Sequence, residues 1–296
     1  MLTSLLISMR PKQWTKNVAV FAALIFDRQL FRLNSDLRAL AGFIIFCFIS
    51  SAVYLFNDIM DYESDKYHPT KRFRPIASGK LPFSIAIIFA LIFTALSILL
   101  GLWLSPIFGI LVTIYFLSNL AYSKWLKHIV ILDVMIIASG FVLRVASGVS
   151  LINVERFSPW LYVVTTLLAL YLGFGKRRSE ISTLNSNAAH HRRVLDGYTL
   201  PFLDQIITIV SSTTIIAYSL YTFSAPNLPA DHSMMLTIPF ALYGVFRYLY
   251  LIQVEHAGGA PEEILLKDRP LQITLLLFGI LVLIIFYSNS LMRLIG

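Results

Sequence analysis

Charge is scarce in this chain. Only 14% of its 296 residues are Asp, Glu, Lys or Arg, against roughly 25% in soluble domains. That scarcity excludes a water-soluble globular domain; with 57% hydrophobic residues and a mean hydropathy of +0.74, it indicates an integral membrane protein. Cysteine is nearly absent: Cys47 is the single copy and lies in an apolar run, so no internal disulfide can form and no redox compartment is readable. No small-residue cleavage site follows the N-terminus before Arg10-Pro11-Lys12, so no cleavable signal peptide is expected. Neither a fixed-period repeat nor a low-complexity linker is present, which leaves one domain over residues 1–296 as the simplest organisation. Alternating apolar stretches are missing too, which excludes a transmembrane barrel. Acidic residues number 16 against 24 basic ones, a net charge of +8. In so apolar a chain that excess reflects loop bias at a membrane rather than nucleic-acid binding.

What is present is a series of long apolar runs. Nine segments are expected to be helical, at 17–31, 38–60, 83–104, 106–122, 129–151, 159–175, 204–224, 234–252 and 271–292, an all-α polytopic bundle of nine transmembrane helices. The first is the weakest and grades into an N-terminal interfacial stretch. Alternating sides assigns 17 of the 24 Lys and Arg residues to one face and 5 to the other, with Arg144 and Arg247 inside spans. The richer face is expected to be cytoplasmic, and every chemically dense segment falls on it.

The densest is Asn57-Asp58-Ile59-Met60-Asp61-Tyr62-Glu63-Ser64-Asp65, at the end of an apolar run. On a helix, Asp58, Asp61 and Asp65 share a face. Like charges so placed repel unless a cation lies between them, and Mg²⁺ takes a few carboxylates together with substrate phosphate oxygens. Asn57, one turn before Asp61, is placed to orient a ligand, whereas Glu63 points elsewhere. The bland alternative is a solvated helix end. Lys71, Arg72, Arg74 and Lys80 follow in a segment broken by Pro69, Pro75, Gly79 and Pro82, either an anchor to the membrane surface or a clamp for phosphate oxygens. Tyr122-Ser123-Lys124-Trp125 ends another run. Inside the next, Asp133 and Arg144 are costly in a membrane and each requires a partner helix or a ligand. The cluster Lys176-Arg177-Arg178 is either a stop-transfer signal or a second anion site. The His190-His191-Arg192-Arg193 patch lacks the ligand spacing of a hydrolytic zinc site and reads as surface.

At the acidic motif the chain resembles the UbiA-type intramembrane prenyltransferases, whose first signature is NDxxDxxxD; the match runs through Asn57, Asp58, Asp61 and Asp65. That family usually carries a second motif, DxxxD, where this chain reads Gly175-Lys176-Arg177-Arg178-Ser179-Glu180. Four further stretches resemble one branch, the decaprenyl-phosphate phosphoribosyltransferases: Arg10-Pro11-Lys12-Gln13-Trp14-Thr15-Lys16-Asn17, the Lys71–Gly79 loop, Tyr122-Ser123-Lys124 and Asp268-Arg269-Pro270-Leu271. The resemblance implies transfer of 5-phosphoribosyl from 5-phosphoribosyl-1-diphosphate (PRPP) to a polyprenyl phosphate lipid. The alternative is prenyl transfer from a prenyl diphosphate. It further implies Mg²⁺ on Asp58, Asp61 and Asp65, and phosphate contacts from Lys71, Arg72 and Arg74 and from Lys176, Arg177 and Arg178. Lys12 and Lys16 are expected at the lipid phosphate, and Tyr122, Lys124 and Arg144 elsewhere in the pocket. The expected setting is a bacterial cytoplasmic membrane, with the site facing the cytoplasm and room for a homo-oligomer.

Overall fold

The computed structural model describes residues 1–68, 70–152, 158–184, 193–255 and 261–295; residues 190–192 of the histidine-arginine patch lie outside them. All regular structure among the described residues is helical. The chain divides into two compact units, residues 1–126 with 140–154, and residues 127–139 with 155–296.

The first unit opens with α1 (Leu2–Met9), a 3-10 helix over Pro11–Phe21 and the short α2 (Ala22–Phe26), followed by α3 (Leu33–Met60), α4 (Tyr62–Tyr67), α5 (Phe83–Leu104) and α6 (Pro106–Lys124). Helix α7 (Leu132–Leu151) belongs to the second unit through Ser139 and to the first from Gly140. One face of α3 buries Phe46, Ile49 and Val53 with Phe108, Val112 and Tyr115 of α6 and with Val20. Another packs Ala52 and Leu55 against Ala86 and Ala90 of α5 and Leu5 and Met9 of α1. Pro106 starts α6 after an extended Ser105, its fixed φ suiting the first helical position. The last carbonyls of a helix lack intrahelical partners. Here Arg38 supplies them, donating from Nε to the Leu151 carbonyl at 2.7 Å and from Nη2 to the Leu104 carbonyl at 2.9 Å. Gly148 lets the 3-10 segment press onto α7: a Cβ there would lie 2.0 Å from the Val20 carbonyl oxygen.

The second unit adds α8 (Trp160–Leu184), α9 (Leu200–Ser224), α10 (Ile238–Gln253), α11 (Pro261–Lys267) and α12 (Arg269–Ile295). Its core gathers Tyr171, Phe174, Leu203, Ile207, Tyr248 and Ile252. Thr199 caps α9 by accepting from the Phe202 N–H. Asp268 does the same for α12, taking the Leu271 N–H at 2.8 Å while both its oxygens face Arg247. The Asp268-Arg269-Pro270 stretch is therefore a helix start, with an N-cap and then a proline in the first turn. The Arg247 hydrogen bond holds the Asp268 carboxyl below its ordinary value.

Seven stretches among the described residues are long and apolar enough to cross a membrane: α3, α5, α6, α7, α9, residues 233–253 and α12 as far as Tyr287. They coincide with seven of the nine expected segments, and the chain is a multi-pass membrane protein. The other two segments differ. Residues 17–31 form the end of the 3-10 helix and the five-residue α2 rather than a spanning helix. All of the 159–175 segment but Pro159 lies in α8, which is 25 residues long but carries Lys176, Arg177 and Arg178 in its second half.

Candidate active site

The acidic motif does not sit on one continuous helix. α3 ends at Met60, Asp61 leaves helical geometry at φ −89° and ψ 3°, and α4 restarts at Tyr62. Across that break Asp58 and Asp65 still face one point. Asp58 Oδ1 and Asp65 Oδ2 lie 3.1 and 2.7 Å from the same atom, Arg74 Nη1, and both carboxylates are buried. Asp61 is half-buried between them in sequence. Asn57 Oδ1 accepts a hydrogen bond from Ser123 Oγ, which ties the motif to the Tyr122–Lys124 stretch. Glu63 points away, with Lys66 Nζ at 3.2 Å on the exposed side of α4. In the following loop Arg72 is exposed and stacks on Phe73, while Lys71 is half-buried.

Among the described residues no group of three or more His, Cys, Asp or Glu side chains closes around a metal position. The fit to a divalent ion is of another kind. Two carboxylate oxygens already converge on a positive nitrogen, and Mg²⁺ accepts one or two carboxylates if substrate phosphates complete its shell. The donor set at Asp58 and Asp65 meets that condition.

A second cation sits here that the sequence reading passed over. Arg10 Nη2 lies 2.6 Å from Asp58 Oδ1, and its guanidinium stacks 4.7 Å from the Tyr54 ring centre, one helical turn before Asp58. The signal for it was the Arg10-Pro11 step, where a charged residue precedes a helix start.

From Arg10 the 3-10 helix runs along α3 against its direction. Eclipsed rows three residues apart put Trp14, Asn17 and Val20 inward, and Lys12, Thr15 and Val18 outward; Lys16 lies on the half-buried row with Gln13. Trp14 Nε1 donates to Ser51 Oγ at 3.1 Å and Asn17 Nδ2 to Ser50 Oγ at 3.2 Å. Seven residues at a 3-10 rise cover about 14 Å, close to the roughly 12 Å from Asp58 to Ser50 along an α-helix. Asn17 Oδ1 in turn accepts from Arg144 Nε at 2.8 Å, and Arg144 also donates to Tyr115 Oη and the Gly140 carbonyl, each at 2.8 Å. Arg144 is thus buried on neutral acceptors and over the Tyr115 ring. It does not meet Asp133.

In the second unit Asp133 meets Arg177. Arg177 Nε lies 2.6 Å from Asp133 Oδ2 and its Nη1 2.6 Å from Glu180 Oε2. Tyr198 Oη donates to Asp133 Oδ1 at 2.7 Å and accepts the Ile131 N–H at 2.6 Å. Burial first, and the Asp133 carboxylate second, push the Tyr198 hydroxyl well above its ordinary range, so it remains a donor. Arg178 turns to Asp204 Oδ1 at 2.6 Å and the Ile252 carbonyl at 2.7 Å. Both arginines of the basic run therefore face carboxylates of their own unit, and Lys176 is half-buried beside them.

A helical membrane protein with buried aspartates at the end of a long helix, faced by arginines, belongs to a recognisable class. Residues 18–262 match the model of the UbiA prenyltransferase family, and the chain belongs to that family. It is 31% identical to the decaprenyl-phosphate phosphoribosyltransferase of Mycolicibacterium smegmatis, over 93% of this chain and 90% of that one. To the protein of the same name from Corynebacterium glutamicum it is 34% identical, over 90% and 81%. A UbiA homologue from Archaeoglobus fulgidus, solved with GPP and Mg²⁺, shares the fold with a TM-score of 0.71 at 19% identity, covering 96% of each chain.

Proposed function

We propose that the protein transfers a 5-phosphoribosyl group from PRPP to a polyprenyl phosphate, with Mg²⁺ bound by Asp58 and Asp65 and assisted by Asp61. The observation that carries this reading is identity above 30%, over nine tenths of the chain, to proteins named decaprenyl-phosphate phosphoribosyltransferase. The convergence of Asp58 and Asp65 on Arg74 Nη1 supports it. The excess of basic residues on the loops shared by these segments supports a cytoplasmic site in a bacterial inner membrane.

In this reaction a phosphate oxygen of the lipid attacks C1 of the sugar. The C1–O bond to the diphosphate breaks, and the diphosphate leaves with the electron pair. Bound Mg²⁺ would neutralise that leaving group. Arg74, with Lys71 and Arg72 from the same loop, would hold diphosphate oxygens by charge-assisted hydrogen bonds. Asn57, fixed by Ser123, would orient the sugar beside Tyr122 and Lys124. Lys12 on the outward row and Lys16 on the half-buried row would meet the lipid phosphate at the membrane surface, with Arg144 as a deeper positive charge. A phosphate monoester is already largely ionised near neutral pH, its second pKa being about 6. No general base is needed, and the acceleration comes from orientation and charge stabilisation.

The test is purified protein in lipid with Mg²⁺, polyprenyl phosphate and labelled PRPP. Labelled lipid should form, and Asp58→Asn or Asp65→Asn should lose it by more than 100-fold, the order expected when a positioned electrostatic group is removed. Prenyl transfer from a prenyl diphosphate without PRPP consumption would replace this reading with the alternative one.

A further inference from the structure

Arg10 occupies an unusual position. It is a non-glycine residue in the left-handed region, φ 54° and ψ 63°, at the junction of α1 and the 3-10 helix. Its N–H closes α1 by donating to the Ile7 carbonyl at 3.1 Å, and its carbonyl accepts from Gln13 at 2.8 Å. This backbone directs the guanidinium between the Tyr54 ring and Asp58 Oδ1, residues four apart on α3 and hence on one face. Asp58 Oδ1 thereby takes two cations, Arg10 at 2.6 Å and Arg74 at 3.1 Å, and Arg74 is shared with Asp65 at 2.7 Å. Within this group of four side chains, two carboxylates and two guanidinium groups balance in charge.

Neutrality has a consequence for binding order. A divalent cation arriving alone would bring two further positive charges to a cluster whose carboxylates are both 2% exposed. It would also have to displace a guanidinium from the Asp58 oxygen it needs. A divalent cation arriving with a diphosphate brings an anion able to accept the displaced arginine. We propose that Arg10 is an exchangeable counter-ion, on Asp58 before substrate binds and on the diphosphate afterwards, which couples metal binding to diphosphate binding. This inference rests on reading Asp58 and Asp65 as the metal-diphosphate residues. Arg10 is thereby a binding residue for the donor substrate, contributed by the N-terminal segment rather than by the motif itself. The exposed apolar side chains of α1 at Leu2, Leu6 and Ile7 face away from the core on the element that delivers it.

The experiment uses the full chain in detergent and measures Mn²⁺ bound to the protein, by the signal of free Mn²⁺ in electron paramagnetic resonance, with and without inorganic diphosphate; matched protein-free titrations subtract the Mn²⁺ that diphosphate chelates by itself. Wild type should bind Mn²⁺ at least about tenfold more tightly when diphosphate is present. Arg10→Gly and Arg10→Asn both suit the left-handed backbone and remove the charge. Each should bind Mn²⁺ alone about tenfold more tightly than wild type and should lose most of the gain from diphosphate. A purely structural Arg10 predicts the opposite sign, unchanged or weaker Mn²⁺ binding in the variants, and that result overturns the proposal. Equal Mn²⁺ affinity of wild type with and without diphosphate overturns it too, and needs no variant to fold. Failure of the phosphoribosyl reading is separate: it would appear as absence of PRPP consumption by wild type, whatever the Mn²⁺ series gives.

Discussion

Replacing Arg177 by Met should be among the most damaging single changes in the second unit, for a reason that can be worked through atom by atom. The Arg177 and Asp133 side chains are 2% and 0% exposed and lie 2.6 Å apart, while Glu180, also on Arg177, is 27% exposed. When the guanidinium goes, Glu180 recovers water, but Asp133 keeps only the Tyr198 hydroxyl and stays buried with its charge. Breaking a buried pair from one side costs about 3–5 kcal/mol, and the structure assigns nearly all of that to Asp133. A further effect follows at Ile131, a β-branched residue at φ 71°, where such conformations are strained. Its N–H is held by Tyr198, which Asp133 in turn orients. Removing both charges, as Asp133→Leu with Arg177→Met, leaves only the Tyr198 donor without its acceptor, a loss of about 1 kcal/mol. The double variant should therefore be more stable than Arg177→Met alone. Unfolding by SDS titration in mixed micelles measures both. An Arg177→Met variant within about 1 kcal/mol of wild type, or a double variant as unstable as the single, would refute the reasoning.

Three further outcomes are expected. Arg38→Ala strips two carbonyl acceptors of a charged donor and should lower stability by about 2–4 kcal/mol in the same titration, with no change in the KM for PRPP. Gly148→Ala puts a Cβ 2.0 Å from the Val20 carbonyl oxygen and should lower stability by about 1–3 kcal/mol through overpacking, which a melting curve in detergent will show. Asp268 has a folded-state pKa below its unfolded value of about 3.9. Its carboxylate therefore contributes stability that is fully present above that value and is lost as pH falls through the folded one. Asp268→Asn keeps the helix cap, so its stability deficit should be constant from pH 7 to about 5 and should shrink below about pH 4.

Much of the fold was legible because membrane spans are long and apolar and their ends are marked locally. The segment expected at 83–104 is α5 to the residue, bounded by Pro82 and Ser105, and Pro106 opens α6. The 17–31 segment misled because apolarity does not distinguish a spanning α-helix from a 3-10 strap. The three-residue row of Trp14, Asn17 and Val20 was the only signal, and it becomes clear only beside α3. The break at Asp61 was also hidden, since no Pro or Gly marks it. What a single sequence cannot carry is which helix a polar side chain meets. Asp133 and Arg144 each need a partner, and the sequence does not say which. Arg177 lies 44 residues from Asp133 and Asn17 lies 127 from Arg144, and no periodicity links such positions. The same limit left Arg10 outside the candidate site although its segment was in view.

The most direct measurement is diphosphate release by the wild-type protein in lipid bilayers, followed as Mg²⁺, PRPP and polyprenyl phosphate are each left out in turn. The account predicts release only when all three are present, in step with phosphoribosyl-labelled lipid. Release that persists without the lipid phosphate, or none with all three supplied, would contradict it.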